Sequence, residues 1–486
     1  MWLILNFLIF SLACSHLWSL PRFGNYRLKR VGLQWSLAWL MLNTLWGLNT
    51  GFPDSWLMTG LWTSHPLAFW GLLQGPSLFA MDGIAAPLII LSTALIPLSL
   101  LASWDSIRFL VKEFILCLLI IDLLLVLTFS VWDLMWFYVL FEGILIPMFL
   151  IIGVWGSRVD KVTAAFYFFF FTLIGSLLFL LSLFFLYQTV GSTQWSTLSA
   201  TPLDPTLQYA LFGGFMVSFA VKIPQFPCHI WLPQAHVEAP VAGSILLAGI
   251  LLKLGGYGYL RFCLPLFPAA TQHFGPGMCL LGVLAVLWGS INTLRQADMK
   301  RLVAYSSVAH MGLVTVALFS GSPEGLAAGL LMMVAHGLVS PALFAMVTCL
   351  YDRFHTRLIR YYRGLTLGAP LFSVFFVSFS LMNMSLPPSG NFIAEWTSLV
   401  ALFQASPLTA LIAGTGVILS AGYSLWFCNR ICFGTLSPHL YTLRDLNRRE
   451  VYLLFPLLLL PFILGLYPAS LIDPLGFQGW LPSPAL

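Results

Sequence analysis

Runs of about twenty apolar residues follow one another along the whole chain, divided by short polar connections. A helix of that length crosses the ~30 Å hydrocarbon core of a bilayer, whereas a barrel strand needs only about ten residues. Fourteen such segments are expected, near 2–20, 31–49, 83–103, 113–131, 133–155, 162–190, 207–232, 240–261, 276–294, 301–320, 325–350, 368–405, 407–429 and 451–472. The pattern predicts an all-α polytopic membrane protein of about 14 transmembrane helices. No polar stretch is long enough for a separate soluble domain, so residues 1–486 read as a single transmembrane domain. No basic region precedes the first apolar run, which predicts a retained span over 2–20 and not a cleaved leader.

Two segments are interrupted. The seventh breaks at Ile223-Pro224 and again at Pro227, just after Lys222. The twelfth breaks at Leu386-Pro387-Pro388-Ser389-Gly390, just before Glu395. Proline removes a backbone donor and clashes with the preceding turn. Within a membrane such breaks persist where they are packed in protein or line a wet cavity. Segments four to eight (113–261) and nine to thirteen (276–429) form two sets of five, and in each set the broken helix is the fourth. Because five is odd, the second set starts from the opposite membrane face. This predicts two inverted five-helix repeats, each with a broken helix, and matching breaks of that kind point to a transport site. Pro147, Pro341 and Pro456 are expected only to kink core helices.

Composition agrees with the span count. Only 8% of the residues are charged and 59% are hydrophobic, against about 25% charged in a soluble domain. Nineteen of the 22 lysines and arginines fall in the odd-numbered connections, and the even-numbered ones hold none. Such one-sidedness follows the positive-inside rule. The odd connections are therefore expected on the cytoplasmic or matrix side and both termini on the other. Lys222, Lys253 and Arg261 are the remainder, and they fall within predicted helices. The eight cysteines are scattered, and Cys428 and Cys432 are the only close pair, without CxxC spacing. With no GxGxxG or GxxxxGK[ST] sequence either, the chain is expected to hold no metal, nucleotide or other cofactor itself.

The intramembrane charges carry the candidate chemistry. A lysine at mid-membrane costs about 2.5–3.5 kcal/mol on insertion scales. A chain that keeps several is better read as moving charge than as merely spanning. Lys253 shares a helix face with Gly249 and Gly256, a small-residue face suited to close helix packing. A buried lysine is easily loaded with a proton or unloaded; the alternative is a static ion pair, for which no carboxylate is obvious nearby in sequence. Glu142 and Lys222 have opposite sign and similar depth, and are expected to pair as a switch. Glu395 occupies the second broken segment as Lys222 does the first. His310, one turn after Ser306 and Ser307, and His336, one turn before Ser340, fit a polar proton track. His229 and His236 lie in the seventh connection as gating or connecting candidates. The role of Asp122 is open, His16 is expected to be structural, and Asp133 to sit at the interface.

These residues resemble a family. Phe137-Tyr-Val-Leu-Phe-Glu142-Gly-Ile-Leu-Ile-Pro147 is similar to the fifth-helix glutamate motif of the antiporter-like subunits of respiratory complex I. Phe219-Ala-Val-Lys222-Ile-Pro, Trp231-Leu-Pro-Gln-Ala-His-Val-Glu-Ala-Pro240 and Leu247-Ala-Gly-Ile-Leu-Leu-Lys253-Leu-Gly-Gly-Tyr-Gly258 resemble that family's most characteristic block. Ala304-Tyr-Ser-Ser-Val-Ala-His310-Met-Gly, Ala335-His336-Gly and Leu386-Pro-Pro-Ser-Gly-Asn-Phe-Ile-Ala-Glu395 fit its tenth to twelfth helices. The His-Val-Glu-Ala-Pro form, Glu395 and Tyr351-Asp-Arg-Phe-His-Thr-Arg357 resemble the subunit-4 branch rather than subunits 2 or 5. Gln234 departs from the pattern, where relatives often carry a charge.

The resemblance implies a proton-translocating membrane-arm subunit of NADH:ubiquinone oxidoreductase, an enzyme by membership of that translocase. Glu142 and Lys222 would receive the coupling signal, Lys253 would hold the proton, and His310, His336 and Glu395 would pass it on. FMN, iron–sulfur clusters, NADH and ubiquinone would all belong to partner subunits. The partners implied are other membrane-arm subunits, including neighbouring antiporter-like ones, and membrane lipids, with no nucleic acid. The mitochondrial inner membrane is favoured over a bacterial plasma membrane. The large subunit of a multisubunit cation/proton antiporter shares the same motifs. A lone transporter for a small solute and a quinone-binding scaffold are further alternatives.

Overall fold

The computed structural model describes residues 2–20, 24–49, 78–440 and 444–472. Arg22, one of the first connection's basic residues, lies outside them, as does most of the second connection. The described chain is helical, with three isolated β-bridges and no strand. The helices are α1 (Trp2–Ser19), α2 (Asn25–Asn49), α3 (Ala85–Ala102), α4 (Val111–Ser130), α5 (Leu134–Gly143), α6 (Leu145–Trp155), α7 (Lys161–Val190), α8 (Trp195–Ala200) and α9 (Pro205–Lys222). Then come α10 (Trp231–Glu238), α11 (Val241–Leu246), α12 (Leu252–Gly258), α13 (Leu264–Leu266), α14 (Pro268–Leu294), α15 (Met299–Leu318) and α16 (Pro323–Phe354). The last are α17 (Leu365–Gly368), α18 (Pro370–Asn383), α19 (Gly390–Ala405), α20 (Pro407–Cys432), α21 (Arg448–Leu466) and α22 (Ala469–Ile472).

Among the described residues, eleven helices are long and apolar enough to span a bilayer. The expected second, seventh and twelfth segments are not among the eleven. The second forms α2, whose first turns carry Arg27, Lys29 and Arg30. The other two are each divided in two, as α9 with α10 and α18 with α19. Pro224 directly follows the cap of α9, α18 ends ahead of Pro387-Pro388, and in both a side chain from the second half satisfies a carbonyl of the last turn. Trp231 Nε1 donates to Val221 O at 3.0 Å, and Asn391 Nδ2 donates to Met382 O at 3.1 Å. Such capping is what allows a helix end to sit inside a membrane protein.

Three further interruptions escape the sequence pattern. The fifth segment breaks at Ile144, directly after Glu142-Gly143, where Pro147 cannot donate to Gly143 O. Pro147 thus does more than kink the helix. The eighth is continuous through 241–266 but contains π-turns at Leu247–Leu251 and Tyr259–Cys263.

Contacts sort the connections onto two faces. Lys29 Nζ, in the first, donates to Ile107 O in the third at 2.6 Å. Arg449, in the thirteenth, pairs with Asp105 at 2.6 Å. Arg357, in the eleventh, donates to Ser157 Oγ in the fifth at 2.6 Å and to Val237 O in the seventh. Opposite them, Ala80 N donates to Ser130 O, and Asp133 bridges to Gln194. On that face Arg261 forms a 2.5 Å ion pair with Asp82 and lies over Trp132. Arg261 thus lies within the eighth span, as expected, and is neutralised there by Asp82.

Residues 241–263 and 325–350 are wholly buried, and α15 nearly so, while α1, α20 and α21 are largely peripheral. Packing is close where α16 crosses the first π-turn. A Cβ added at Gly337 would lie 2.8 Å from Gly249 O. Glycines there let two backbones approach as in other small-residue membrane crossings.

Candidate functional site

Lys253 lies in α12, immediately beyond the first π-turn, with no solvent exposure. Its Nζ donates back to Ala248 O, a carbonyl within that turn, at 2.5 Å. Its second partner is His336 Nδ1 on α16, at 3.0 Å. As the face with Gly249 and Gly256 leads one to expect, the ammonium points into the bundle. Gly256 packs against Met333 and Gly249 against Gly337 and Pro341, all on α16. Among the described residues no carboxylate pairs with Lys253.

The series continues through α15 to α19. The rings of His336 and His310 have centroids 5.4 Å apart. His310 Nδ1 lies 3.0 Å from Glu395 Oε1, both groups buried. Glu395, isolated in sequence, thus finds its partner on another helix. Hydrogen-bond roles follow from these contacts. With Lys253 as ammonium, His336 Nδ1 accepts, so a neutral His336 carries its hydrogen on Nε2. With Glu395 as carboxylate, His310 Nδ1 donates, so a neutral His310 has a free lone pair on Nε2. Those two Nε2 atoms are the ring nitrogens without a hydrogen-bond partner in the protein. A donor on one ring thus faces the need of an acceptor on the other.

Glu142 and Lys222 are electrostatic neighbours but form no contact ion pair. Lys222 Nζ instead lies 4.4 Å from the centroid of the Phe141 ring. It occupies the last turn of α9, where a cation meets the negative end of the helix dipole. Glu142 Oε1 is buried without a hydrogen-bond partner, at the break between α5 and α6. Lys222 makes no hydrogen bond to Lys253, so these two groups stand apart from the continuous series.

Other candidates separate clearly. His16 Nδ1 accepts from Trp35 Nε1 at 3.2 Å, a structural contact. Asp133 caps α5 by accepting from Met135 N and Trp136 N. Both Asp122 carboxyl oxygens are buried without hydrogen-bond partners. His229 stacks beside Phe226. His236 stacks on Phe344 at 4.5 Å, neither nitrogen bonded, with Lys300 and Lys253 as its charged neighbours. Lys300 is the residue that the sequence pattern hides. It reads as a flanking basic residue of the ninth connection, yet it is buried and donates to Ala239 O at 2.9 Å. Its Asp298-Met-Lys start resembles any interfacial helix end, so no sequence signal separates it.

The profile of the NADH:quinone oxidoreductase/Mrp antiporter transmembrane family matches residues 132–420, which include all six site residues. NADH-ubiquinone oxidoreductase chain 4 of Metridium senile is 51% identical over 481 residues, covering 97% of this chain and 96% of its own. The chain 4 of Arabidopsis thaliana is 49% identical, over 81% of this chain and 80% of its own. A chain in the structure of respiratory complex I from Thermus thermophilus with bound NADH superposes with a TM-score of 0.86 at 28% identity, covering 99% of this chain and 100% of that one. This chain belongs to the NADH:quinone oxidoreductase/Mrp antiporter family of membrane proteins.

Proposed function

We propose that this chain is a proton-translocating membrane-arm subunit of NADH:ubiquinone oxidoreductase, the chain-4 member of that assembly. It couples electron transfer in other subunits to proton movement across the membrane. The observation that carries this reading is the buried series Lys253, His336, His310 and Glu395, with both imidazoles set between a cation and a carboxylate. Identities of 42–51% to proteins named NADH-ubiquinone oxidoreductase chain 4 support it over an antiporter subunit.

A proton passes along the series without any heavy-atom bond forming or breaking. Lys253 ammonium gives a proton to His336 Nδ1, and His336 Nε2–H gives its own to His310 Nε2 through one bridging water. Lys253 ends neutral, His336 ends as the other neutral tautomer, and His310 ends as imidazolium against the Glu395 carboxylate. The ion pair formed at the far end offsets the charge lost at Lys253. Glu142 and Lys222 act beside this series as a switch. When Lys222 approaches Glu142 its field on the remaining groups weakens, which biases Lys253 toward its charged form. Segments 113–261 and 276–429 act as the two inverted repeats, with Lys222 and Glu395 on equivalent broken helices.

FMN, iron–sulfur clusters, NADH and ubiquinone belong on this reading to partner subunits. The membrane is the mitochondrial inner membrane. The test is Lys253→Ala in the assembled complex. Ubiquinone reduction persists and proton translocation per electron falls; an assembled Lys253→Ala complex with normal stoichiometry refutes the role. Co-purification of the chain with an NADH-oxidising, iron–sulfur-containing assembly excludes the antiporter alternative.

A further inference from the structure

Beyond Glu395 the protein contains a second polar cluster that the series above does not use. Tyr423 and Ser424 on α20 and Ser380 and Asn383 on α18 are each more than nine-tenths buried. Among the described residues the Tyr423 hydroxyl, Ser424 Oγ, Ser380 Oγ and Asn383 Oδ1 make no well-formed hydrogen bond, with Tyr423 beside Asn383 and Ser380 beside Cys428. A buried unsatisfied polar atom costs about 1–3 kcal/mol, so four together need an explanation. All four residues line one internal cavity of about 10 Å³, with Ser306 of α15 also in its wall. That is about the volume a single water needs, and the wall offers the two to four polar partners that hold one.

The cavity has a polar neighbour on either side. Tyr423 has Glu395 as a charged neighbour, and Glu395 Oε2 itself lacks a partner. Ser380 and Ser424 also line a larger cleft of about 390 Å³ between α18 and α20. This cleft reaches Asn429 and Phe433, at the end of α20. That end lies on the basic-residue face, because α18 starts there too, with Leu371 N donating to Asp445 of the thirteenth connection. Only the Ser380 and Ser424 side chains are common to the two spaces.

We propose that Glu395 exchanges protons with the basic-residue face through a water-bridged branch formed by Tyr423, Asn383, Ser380 and Ser424. A cavity water gives a proton to Glu395, through the Tyr423 hydroxyl, and takes one from the water next to Ser380 and Ser424. No other bond changes. The branch rests on the proton-carrying role of Glu395 proposed above.

The test compares two variants in the intact assembled complex in proteoliposomes. Ser380→Val with Ser424→Val fills the junction, and Gly414→Ala, on α20 but outside the branch and with nothing within 4 Å of the added Cβ, is the control. The valine pair loses proton translocation per electron and Gly414→Ala retains it. Translocation retained by the valine pair, or lost to the same extent in Gly414→Ala, overturns the branch. Glu395→Gln separates the levels. If Glu395→Gln translocates normally, the role of Glu395 fails and the branch with it. If Glu395→Gln loses translocation while the valine pair keeps it, the branch alone fails. Should the valine pair not assemble, a high-resolution map of the wild-type complex decides. Ordered water bonded to Tyr423 and Asn383 supports the branch, and a dry cavity in a map that resolves other buried waters overturns it.

Discussion

The hydrogen bond between Lys253 and His336 depends on how closely α16 approaches the first π-turn, and Gly337→Ala perturbs that approach. The added methyl would lie 2.6 Å from Leu91 Cδ2, 2.8 Å from Gly249 O and 3.5 Å from Lys253 Cε. The leucine tip can rotate away. The carbonyl of Gly249 is backbone within a buried segment and cannot, so α16 must move out by several tenths of an ångström. Overpacking of this kind costs about 1–3 kcal/mol. The same shift stretches the 3.0 Å contact between Lys253 Nζ and His336 Nδ1 beyond good hydrogen-bond length. Gly414→Ala in α20 is the internal control, because a Cβ there meets nothing within 4 Å. It should be neutral, or stabilising by up to about 1 kcal/mol through helix propensity. The assay is thermal stability of the purified complex together with proton translocation per electron. Gly337→Ala should lower both, and Gly414→Ala neither. A Gly337→Ala complex as stable and as well coupled as wild type would refute the close-crossing argument.

Other contacts give independent expectations. Asp82→Asn leaves Arg261 as a buried guanidinium without its counter-charge and should destabilise the assembly by about 3 kcal/mol, the low end for a broken buried pair because Asp82 retains some exposure; a chemical-denaturation midpoint reads the loss. Asp133→Ala removes the cap of α5 and should cost about 1 kcal/mol, with Asp133→Asn largely restoring it. Arg357→Leu removes the donor to Ser157 and Val237 and should cost about 3 kcal/mol, seen as poorer assembly on native gels.

How much of this was legible differs by element. Pro224 and the Pro387-Pro388 pair revealed both broken helices, since proline acts through its own ring and missing donor whatever surrounds it. The break after Glu142 was missed because Pro147 lies three residues beyond it and resembles an ordinary kink. The π-turn beside Lys253 has no composition of its own, so nothing in Leu247-Ala-Gly-Ile-Leu251 announces that Ala248 O will meet the ammonium. Glu142 and Lys222 matched in sign and depth, yet the folded chain sets Lys222 over Phe141 without a contact pair. Arg261 is a third cation within a span, and only the fold shows that Asp82 of the second connection supplies its counter-charge.

The sequence by itself determined what water and lipid enforce residue by residue. Long apolar runs must become helices that satisfy their own backbones, basic residues collect on one face, and a charge retained inside a span marks function. Partnership was decided only by the tertiary structure. Lys253 and His336 are 83 residues apart, and His310 and Glu395 are 85 apart. Helix crossing angles and glycine-permitted approaches fix which of these groups meet. Those depend on packing between distant segments, which no local pattern of hydrophobic and polar positions encodes.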